Sequence, residues 1–193
     1  DALEAAGIRA FGPRAEAAVI ESSKSFSKEL MKKYNIPTAR YEVFEDSGKA
    51  LEYLKSCSYP AVVKADGLAL GKGVIIAEDY GQAAEAIRNI MCEKVFGDAG
   101  KKVVIEEFLE GTEVSILAFT DGKTIIPMVS SQDHKRAYDN DKGPNTGGMG
   151  TFSPSRIYTE ELAERCMETI FVPTVEAMNR EGRKFKVVLY FGL

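Results

Sequence analysis

Ala61-Val62-Val63-Lys64-Ala65-Asp66-Gly67-Leu68-Ala69-Leu70-Gly71-Lys72-Gly73-Val74-Ile75-Ile76-Ala77 joins two short apolar runs through a glycine-bearing loop. Runs of this length, rich in β-branched residues and bounded by turn residues, predict strands over 61–64 and 74–77. The same reasoning extends outward in both directions. Tyr41–Phe44 reads as a strand, and 47–56 as a helix with Ala50, Leu51 and Leu54 inward. Asp79 caps a helix that runs through Met91, and 103–108 is a strand. The order over 41–108 is therefore βαββαβ, a small α+β sheet with its helices on one face.

On the N-terminal side, 3–6 reads as the end of a helix and 8–11 as a strand. Ser22 or Ser23 caps a helix carrying Phe26, Leu30 and Met31 at helical spacing, which stops before Asn35-Ile36-Pro37. On the C-terminal side a second sheet is expected from strands at 113–120, 123–129 and 186–190. Asp121-Gly122 between two apolar runs is a hairpin signal. A helix is expected over about 159–179, with a break or kink at Pro173.

Between Val129 and Pro154 no apolar period of either kind exists, so an ordinary core helix or strand is excluded there. This stretch holds His134, the one histidine of the chain, together with Gly147, Gly148 and Gly150. Glycines of this kind let main-chain amides approach a ligand closely. Long loops in compact domains are mostly functional or disordered, and the apolar flanks at 125–129 and Phe152 argue for a site loop.

Composition sets outer limits. The chain has 193 residues, 45% hydrophobic and 28% charged, values ordinary for a globular protein. A net charge of −4 argues against nucleic acid as the main partner, since that binding needs a basic surface. No apolar run approaches the roughly 20 residues that cross a bilayer, so no membrane partner is expected. Cys57, Cys92 and Cys166 are odd in number and widely spaced, without metal-type pairing. Cys92 and Cys166 read as small buried hydrophobes, and a cytoplasmic location fits three thiols. The chain opens without an initiator Met and stops inside an apolar strand, whose unpaired edge would invite aggregation. A piece of a longer protein is the expectation.

Three constellations carry chemistry. Lys64 ends an apolar strand, a rare place for lysine unless it is paired or liganded. Lys72 sits between Gly71 and Gly73 on the hairpin, where amides and ammonium groups suit a polyphosphate, although a solvated hairpin lysine fits the same pattern. The spacing is not that of a P-loop. In Val104-Ile105-Glu106-Glu107-Phe108-Leu109-Glu110-Gly111-Thr112-Glu113, alternation puts Glu106 and Glu107 on opposite faces. A cleft carboxylate there can accept from an adenine amino group, the backbone of Phe108 and Leu109 can pair with the ring edge, and Glu113 can bind ribose hydroxyls. Two solvated acids before a turn are the alternative. In the site loop, Lys135 is the candidate to neutralise a transferring phosphoryl group, with Asp133 orienting it. Asn145, Thr146, Gly147, Gly148 and Met149 offer amide, hydroxyl and main-chain groups to a sugar phosphate and a small amino acid. His134 reads more readily as a structural histidine than as a base.

These segments resemble the ATP-grasp fold, in which a nucleotide is gripped between two α+β units. Phe11-Gly12-Pro13, Ser23-Lys24, Lys64-Ala65-Asp66-Gly67-Leu68-Ala69, Gly71-Lys72-Gly73-Val74, Phe96-Gly97-Asp98-Ala99-Gly100 and Glu106-Glu107-Phe108-Leu109 resemble successive motifs of the glycinamide ribonucleotide synthetase family. So do Ser131-Gln132-Asp133-His134-Lys135-Arg136, Gly143-Pro144-Asn145-Thr146-Gly147-Gly148-Met149-Gly150 and Leu189-Tyr190-Phe191-Gly192-Leu193. The resemblance implies ligation of glycine to 5-phosphoribosylamine through a glycyl phosphate, with ATP and Mg2+ or Mn2+. It implies Lys24 beside the phosphate site, and metal ligands that lie after Leu193 rather than within this chain. It also implies an order of parts: 1–22 as the end of an N-terminal domain, 23–40 as a connecting helix, 41–111 as the lid and 112–193 as the first part of the core subdomain. Such a piece alone is expected to be inactive. One departure stands out, because Val187 occupies a place where the family usually has glycine. Competing readings are a nucleotide-binding module without chemistry of its own and another ATP-grasp carboxylate–amine ligase.

Overall fold

The computed structural model describes residues 1–69, 73–139 and 142–193, apart from the side chains of Pro144 and Asn145. In chain order the elements are α1 (Ala2–Ala5), α2 (Ala15–Ser22), α3 (Lys24–Lys33), β1 (Tyr41–Phe44), α4 (Ser47–Leu54), β2 (Ala61–Ala65), β3 (Val74–Ala77) and α5 (Tyr80–Ile87). A π turn (Arg88–Cys92) and a 3-10 turn (Gly97–Lys101) lead into β4 (Val103–Glu107) and β5 (Ser115–Thr120). Then come β6 (Ile125–Pro127), β7 (Gln132–Asp133), β8 (Arg136–Tyr138), β9 (Lys142–Asn145) and β10 (Thr151–Phe152). The chain closes with α6 (Glu160–Cys166), a π turn (Met167–Phe171), α7 (Val172–Arg180) and β11 (Val187–Gly192). Two compact units result: Ala18–Glu110, and Asp1–Ala17 together with Gly111–Leu193.

In Ala18–Glu110 the sheet order is β1-β4-β2-β3, with every neighbour antiparallel. Side-chain alternation sends Val63, Ala65, Val103 and Ile105 into one core with Ala50, Leu54, Ala83, Ile87 and Ile90 from the helical side. The same alternation turns Lys64 and Glu106 to the opposite face. There α3 packs, its first turn capped by Ser23, which accepts from the Phe26 N–H at 3.1 Å. Asp46 and Asp79 cap α4 and α5 in the same way, through Lys49 and Gln82. These caps fix where each helix begins, so the βαββαβ order follows the turn residues closely.

In the second unit the sheet order is β11-β5-β6. Ile116, Ala118, Leu189 and Phe191 face inward, while Leu117, Phe119 and Tyr190 face out. Phe171 packs on Phe191 with ring centroids 4.2 Å apart. The hairpin at Asp121-Gly122 forms, with Asp121 accepting from Lys123 and Thr124 and Gly122 at φ 87°. The helix expected over 159–179 is capped by Thr159 and carries its irregularity as a π turn over Met167–Phe171, with Pro173 in the first turn of the helix that follows.

Several expectations need correction. Residues 8–11 form no strand; Phe11 is 78% exposed, and no described strand lies beside it to complete a ladder. Helix α2 escaped the sequence reading because only Ala17 of it is buried, leaving almost no apolar stripe to detect. Cys92 is exposed at the end of its π turn rather than buried, and Cys166 is half-buried; all three thiols are unbridged. The stretch 129–154 is not a structureless loop. It forms two short ribbons, β7 with β10 and β8 with β9. Backbone pairing and a few polar side-chain bonds make them, so no apolar period announces them.

Candidate functional site

The face of the first sheet opposite its core gathers three lysines on one carboxylate and one loop. Glu106 Oε2 accepts from Lys64 Nζ at 2.9 Å and from Lys28 Nζ at 3.0 Å. The Glu106 side chain is only 5% exposed, and its other oxygen, Oε1, is buried with no hydrogen-bond partner among the described residues. Lys28 also donates to Thr38 Oγ1 at 2.7 Å and lies 5.6 Å from the Tyr41 ring centroid. Burial pushes the Lys28 ammonium below its ordinary pKa, against the opposing pull of Glu106. Lys24, one helical turn earlier, donates to the Gly67 carbonyl at 3.0 Å, and burial lowers its pKa as well, with Asp66 opposing.

Asp66 anchors the start of the glycine loop. Its carboxylate accepts from Ser23 Oγ at 3.2 Å and from the Ser25 N–H at 2.5 Å, while its carbonyl accepts from the Lys24 N–H at 3.0 Å. A Cβ at Gly67 would come within 2.8 Å of Ala99 Cβ, and one at Gly73 within 2.6 Å of Ala69 Cβ. Both glycines are thus required by packing, whatever else they serve. Gly71 and Lys72 lie outside the described residues.

Glu107 faces the other way, as alternation requires. It accepts from the Arg40 N–H at 2.8 Å and Arg40 Nε at 2.6 Å, and these bonds hold its carboxyl below the usual glutamate range. Phe108 and Leu109 follow β4 outside any strand, with Leu109 63% exposed.

In the second unit Lys135 donates to Glu113, and Asp133 Oδ1 lies 3.9 Å from the same ammonium. Tyr190 Oη stands 3.5 Å from Glu113 Oε1 and 3.2 Å from Ser115 Oγ. Burial works to lower the Lys135 pKa, but its bond and charge interaction with Glu113, aided by Tyr190 and Asp133, hold it above the ordinary value. Lys135 is therefore a firmly charged ammonium. Its carbonyl accepts both the N–H (2.7 Å) and the hydroxyl (2.9 Å) of Thr146, and Gly148 N–H donates to Thr146 Oγ1 at 3.1 Å. His134 is held by backbone bonds to Gly150 and Met149, and its ring meets Phe152 edge-on at 5.8 Å. Gly148 and Gly150 take φ of 119° and 132°, which glycine tolerates and other residues resist. Gly147 is exposed, and Met149 projects its side chain, 61% exposed. Of Asn145 only the backbone, paired with Arg136, is described.

Residues 22–193 match the family of the phosphoribosylglycinamide synthetase ATP-grasp (A) domain. The chain belongs to this family. The phosphoribosylamine–glycine ligase of Clostridium acetobutylicum is 56% identical over 187 residues, covering 97% of this chain and 45% of that protein. The crystal structure of phosphoribosylamine–glycine ligase from Thermotoga maritima superposes with a TM-score of 0.87 at 39% identity, covering 95% of this chain and 46% of that one. The biotin carboxylase domain of Hydrogenobacter thermophilus 2-oxoglutarate carboxylase, solved with MgADP, shares the fold at 20% identity and a TM-score of 0.72, over 99% of this chain and 41% of that one. The chain thus spans less than half the length of the ligases it matches. The expected α+β ATP-grasp architecture is what the structure and these neighbours display.

Within this ATP-grasp domain, the structure brings Lys24, Lys64 and Glu106 onto one face, and Lys135, Asp133 and Glu113 into one cluster. Sequence reading missed Lys28. Its signal is the i, i+4 spacing from Lys24, which puts both lysines on one side of α3. Lys32 and Lys33 in the same helix make that spacing look like an ordinary solvated face.

In the first cluster Glu106 Oε1 is a buried acceptor without a donor among the described residues, a place where an N–H group would fit. A divalent cation is a different matter. Among the described residues, no group of three or more His, Cys, Asp or Glu side chains is arranged to hold one.

Proposed function

We propose that this domain binds ATP for a ligase that joins glycine to 5-phosphoribosylamine, giving glycinamide ribonucleotide, ADP and phosphate in purine biosynthesis. The observation that carries the nucleotide reading is Glu106, one oxygen held by Lys28 and Lys64 and the other buried and unmet. The reaction itself rests on kinship with phosphoribosylamine–glycine ligases at about half identity.

In this reading Glu106 Oε1 accepts from the adenine amino group, and the backbone of Phe108 and Leu109 pairs with the ring edge. Glu107, tied to Arg40, fixes the end of β4 beside them, and Glu113 takes ribose hydroxyls. Lys64 and Lys72 neutralise phosphates within the loop formed by Gly71 and Gly73, and Lys24 keeps the base of that loop in place through Gly67. The glycine carboxylate attacks the γ-phosphorus, the bond to the β–γ bridging oxygen breaks, and ADP leaves. The amine of phosphoribosylamine then attacks the glycyl carbonyl, phosphate departs, and the amine loses a proton. Such transfers depend on position and charge more than on covalent catalysis.

Lys135, kept charged by its neighbours, meets the transferring phosphoryl, and Asp133 orients it. Asn145, Thr146, Gly147, Gly148 and Met149 take the sugar phosphate and glycine. Mg2+ or Mn2+ belongs to this reading as the counter-ion of the triphosphate, and the described residues do not fit it by themselves. A cytoplasmic setting is in keeping with three unbridged thiols. No helix among the described residues is long and apolar enough to cross a membrane.

The test is ATP binding by calorimetry in the full-length protein. Lys64→Met is expected to cost about 2–4 kcal/mol, as for a lost charge-assisted partner in a closed site. Unchanged ATP affinity would refute the nucleotide assignment.

A further inference from the structure

We propose that Lys28 is a positioning residue that sets base selection, holding Glu106 so that Oε1 is offered to a 6-amino purine and withheld from a 6-oxo purine. The proposal rests on the reading that Glu106 faces the base. It arises from an asymmetry within one carboxylate: both ammonium groups sit on Oε2, and neither reaches Oε1.

A buried acceptor left without a donor carries an uncompensated desolvation cost. Rotating the Glu106 carboxylate would relieve that cost by sharing the two cations between its oxygens. Lys28 stands against such rotation because its own directions are already committed. One N–H meets Glu106 Oε2 at 3.0 Å, another meets Thr38 Oγ1 at 2.7 Å, and the ammonium lies 5.6 Å from the Tyr41 ring centroid. An ammonium has three donors and no acceptor, so little is left over for a ligand. Its side chain is 11% exposed, against 25% for Lys64. Lys64 can turn toward an incoming phosphate, whereas Lys28 stays with the carboxylate.

The consequence is chemical. An ionised carboxylate oxygen only accepts hydrogen bonds. Fixed in place, Oε1 matches the N–H of adenine C6 and opposes the carbonyl of hypoxanthine at the same position. A site built to meet one polar group discriminates strongly against an analogue that cannot supply it. If Oε1 could swing away, both bases would be tolerated.

The experiment measures the affinities of ATP and ITP by calorimetry in the full-length protein. Lys28→Met should weaken ATP at least tenfold with little change for ITP, so that the ATP/ITP preference falls at least tenfold. Lys28→Arg, which keeps a cation and its donors, should restore a large part of that preference. A Lys28 that serves only the stability of the fold would weaken both nucleotides in parallel, and a parallel loss overturns the proposal. Thr38→Val removes the other anchor of Lys28 by a smaller change, and it should reduce the preference in the same direction. An unaltered preference in Thr38→Val, should Lys28→Met fail to fold, overturns the proposal equally. Glu106→Gln separates the two layers of the argument. If Glu106→Gln leaves the preference intact, Glu106 does not read the base and the underlying reading fails. If Glu106→Gln abolishes it while Lys28→Met preserves it, only the role of Lys28 fails.

Discussion

Val187 enters β11 at φ 97°, a conformation that crowds a β-branched side chain against its own backbone. Holding such a residue there costs about 1–3 kcal/mol, while glycine avoids that strain and gives up about 0.5–1 kcal/mol in a strand. Val187→Gly is therefore expected to raise stability by about 1 kcal/mol, seen as a higher denaturant midpoint at unchanged slope. A lower midpoint would mean that the packing of this half-buried side chain outweighs the strain. The sequence flagged the position through its departure from a usual glycine, but only backbone geometry shows which way the departure acts. Glu107 permits a second test. Arg40 bonds hold its carboxyl below the ordinary 4.5, so the fold favours the ionised form. That contribution is present above the unfolded value and is lost as pH falls through the folded one. The melting-temperature gap between wild type and Glu107→Gln should be widest near neutrality and close as pH drops below 4.5. A gap independent of pH would show that ionisation of Glu107 contributes nothing. The opposite faces of Glu106 and Glu107 were legible from alternation alone. The burial of Lys28 was not, because nothing local distinguishes a lysine aimed at a sheet from one aimed at water.

Elements with a period or a cap were legible, and those made by backbone pairing were not. Asp46, Asp79 and Thr159 mark helix starts by chemistry that acts within three residues, so sequence reveals them. The ribbons β7–β10 and β8–β9 are only two to four residues long per strand, and their aromatic members Tyr138 and Phe152 are exposed, so no apolar pattern predicts their pairing. These ribbons nevertheless carry the residues proposed for phosphoryl transfer and acceptor binding. Thr146 closes back onto the Lys135 carbonyl, which links the proposed acceptor residues to the proposed phosphoryl residue across one ribbon. The two roles separate kinetically in the full-length protein. Lys135→Ala should lower turnover on the order of 10²–10³-fold with little loss of ground-state ATP affinity, as for a charge used in the transition state. Asn145→Ala should raise the apparent requirement for phosphoribosylamine and leave ATP affinity alone. If Asn145→Ala abolished ATP binding while sugar-phosphate affinity survived, the ribbon would belong to the nucleotide side.

At the scale of the whole molecule, each compact unit buries apolar residues of its own. One is built on Leu54, Val63, Ile87, Ile90, Val103 and Ile105, the other on Ile116, Phe171, Met178 and Phe191. Each core is closed by its own sheet, with long-range antiparallel pairing inside each unit. Cooperativity follows buried contact, so each unit is expected to open as a unit of its own. Leu54 is fully buried where α4 meets the first sheet. Leu54→Ala should cost about 2–5 kcal/mol through lost transfer energy and the cavity left behind. Native-state hydrogen exchange then distinguishes the possibilities. Amides of β2 and β4 should lose protection by that amount, while those of β5 and β11 should keep theirs. An equal loss in all four strands would show that the two units unfold together.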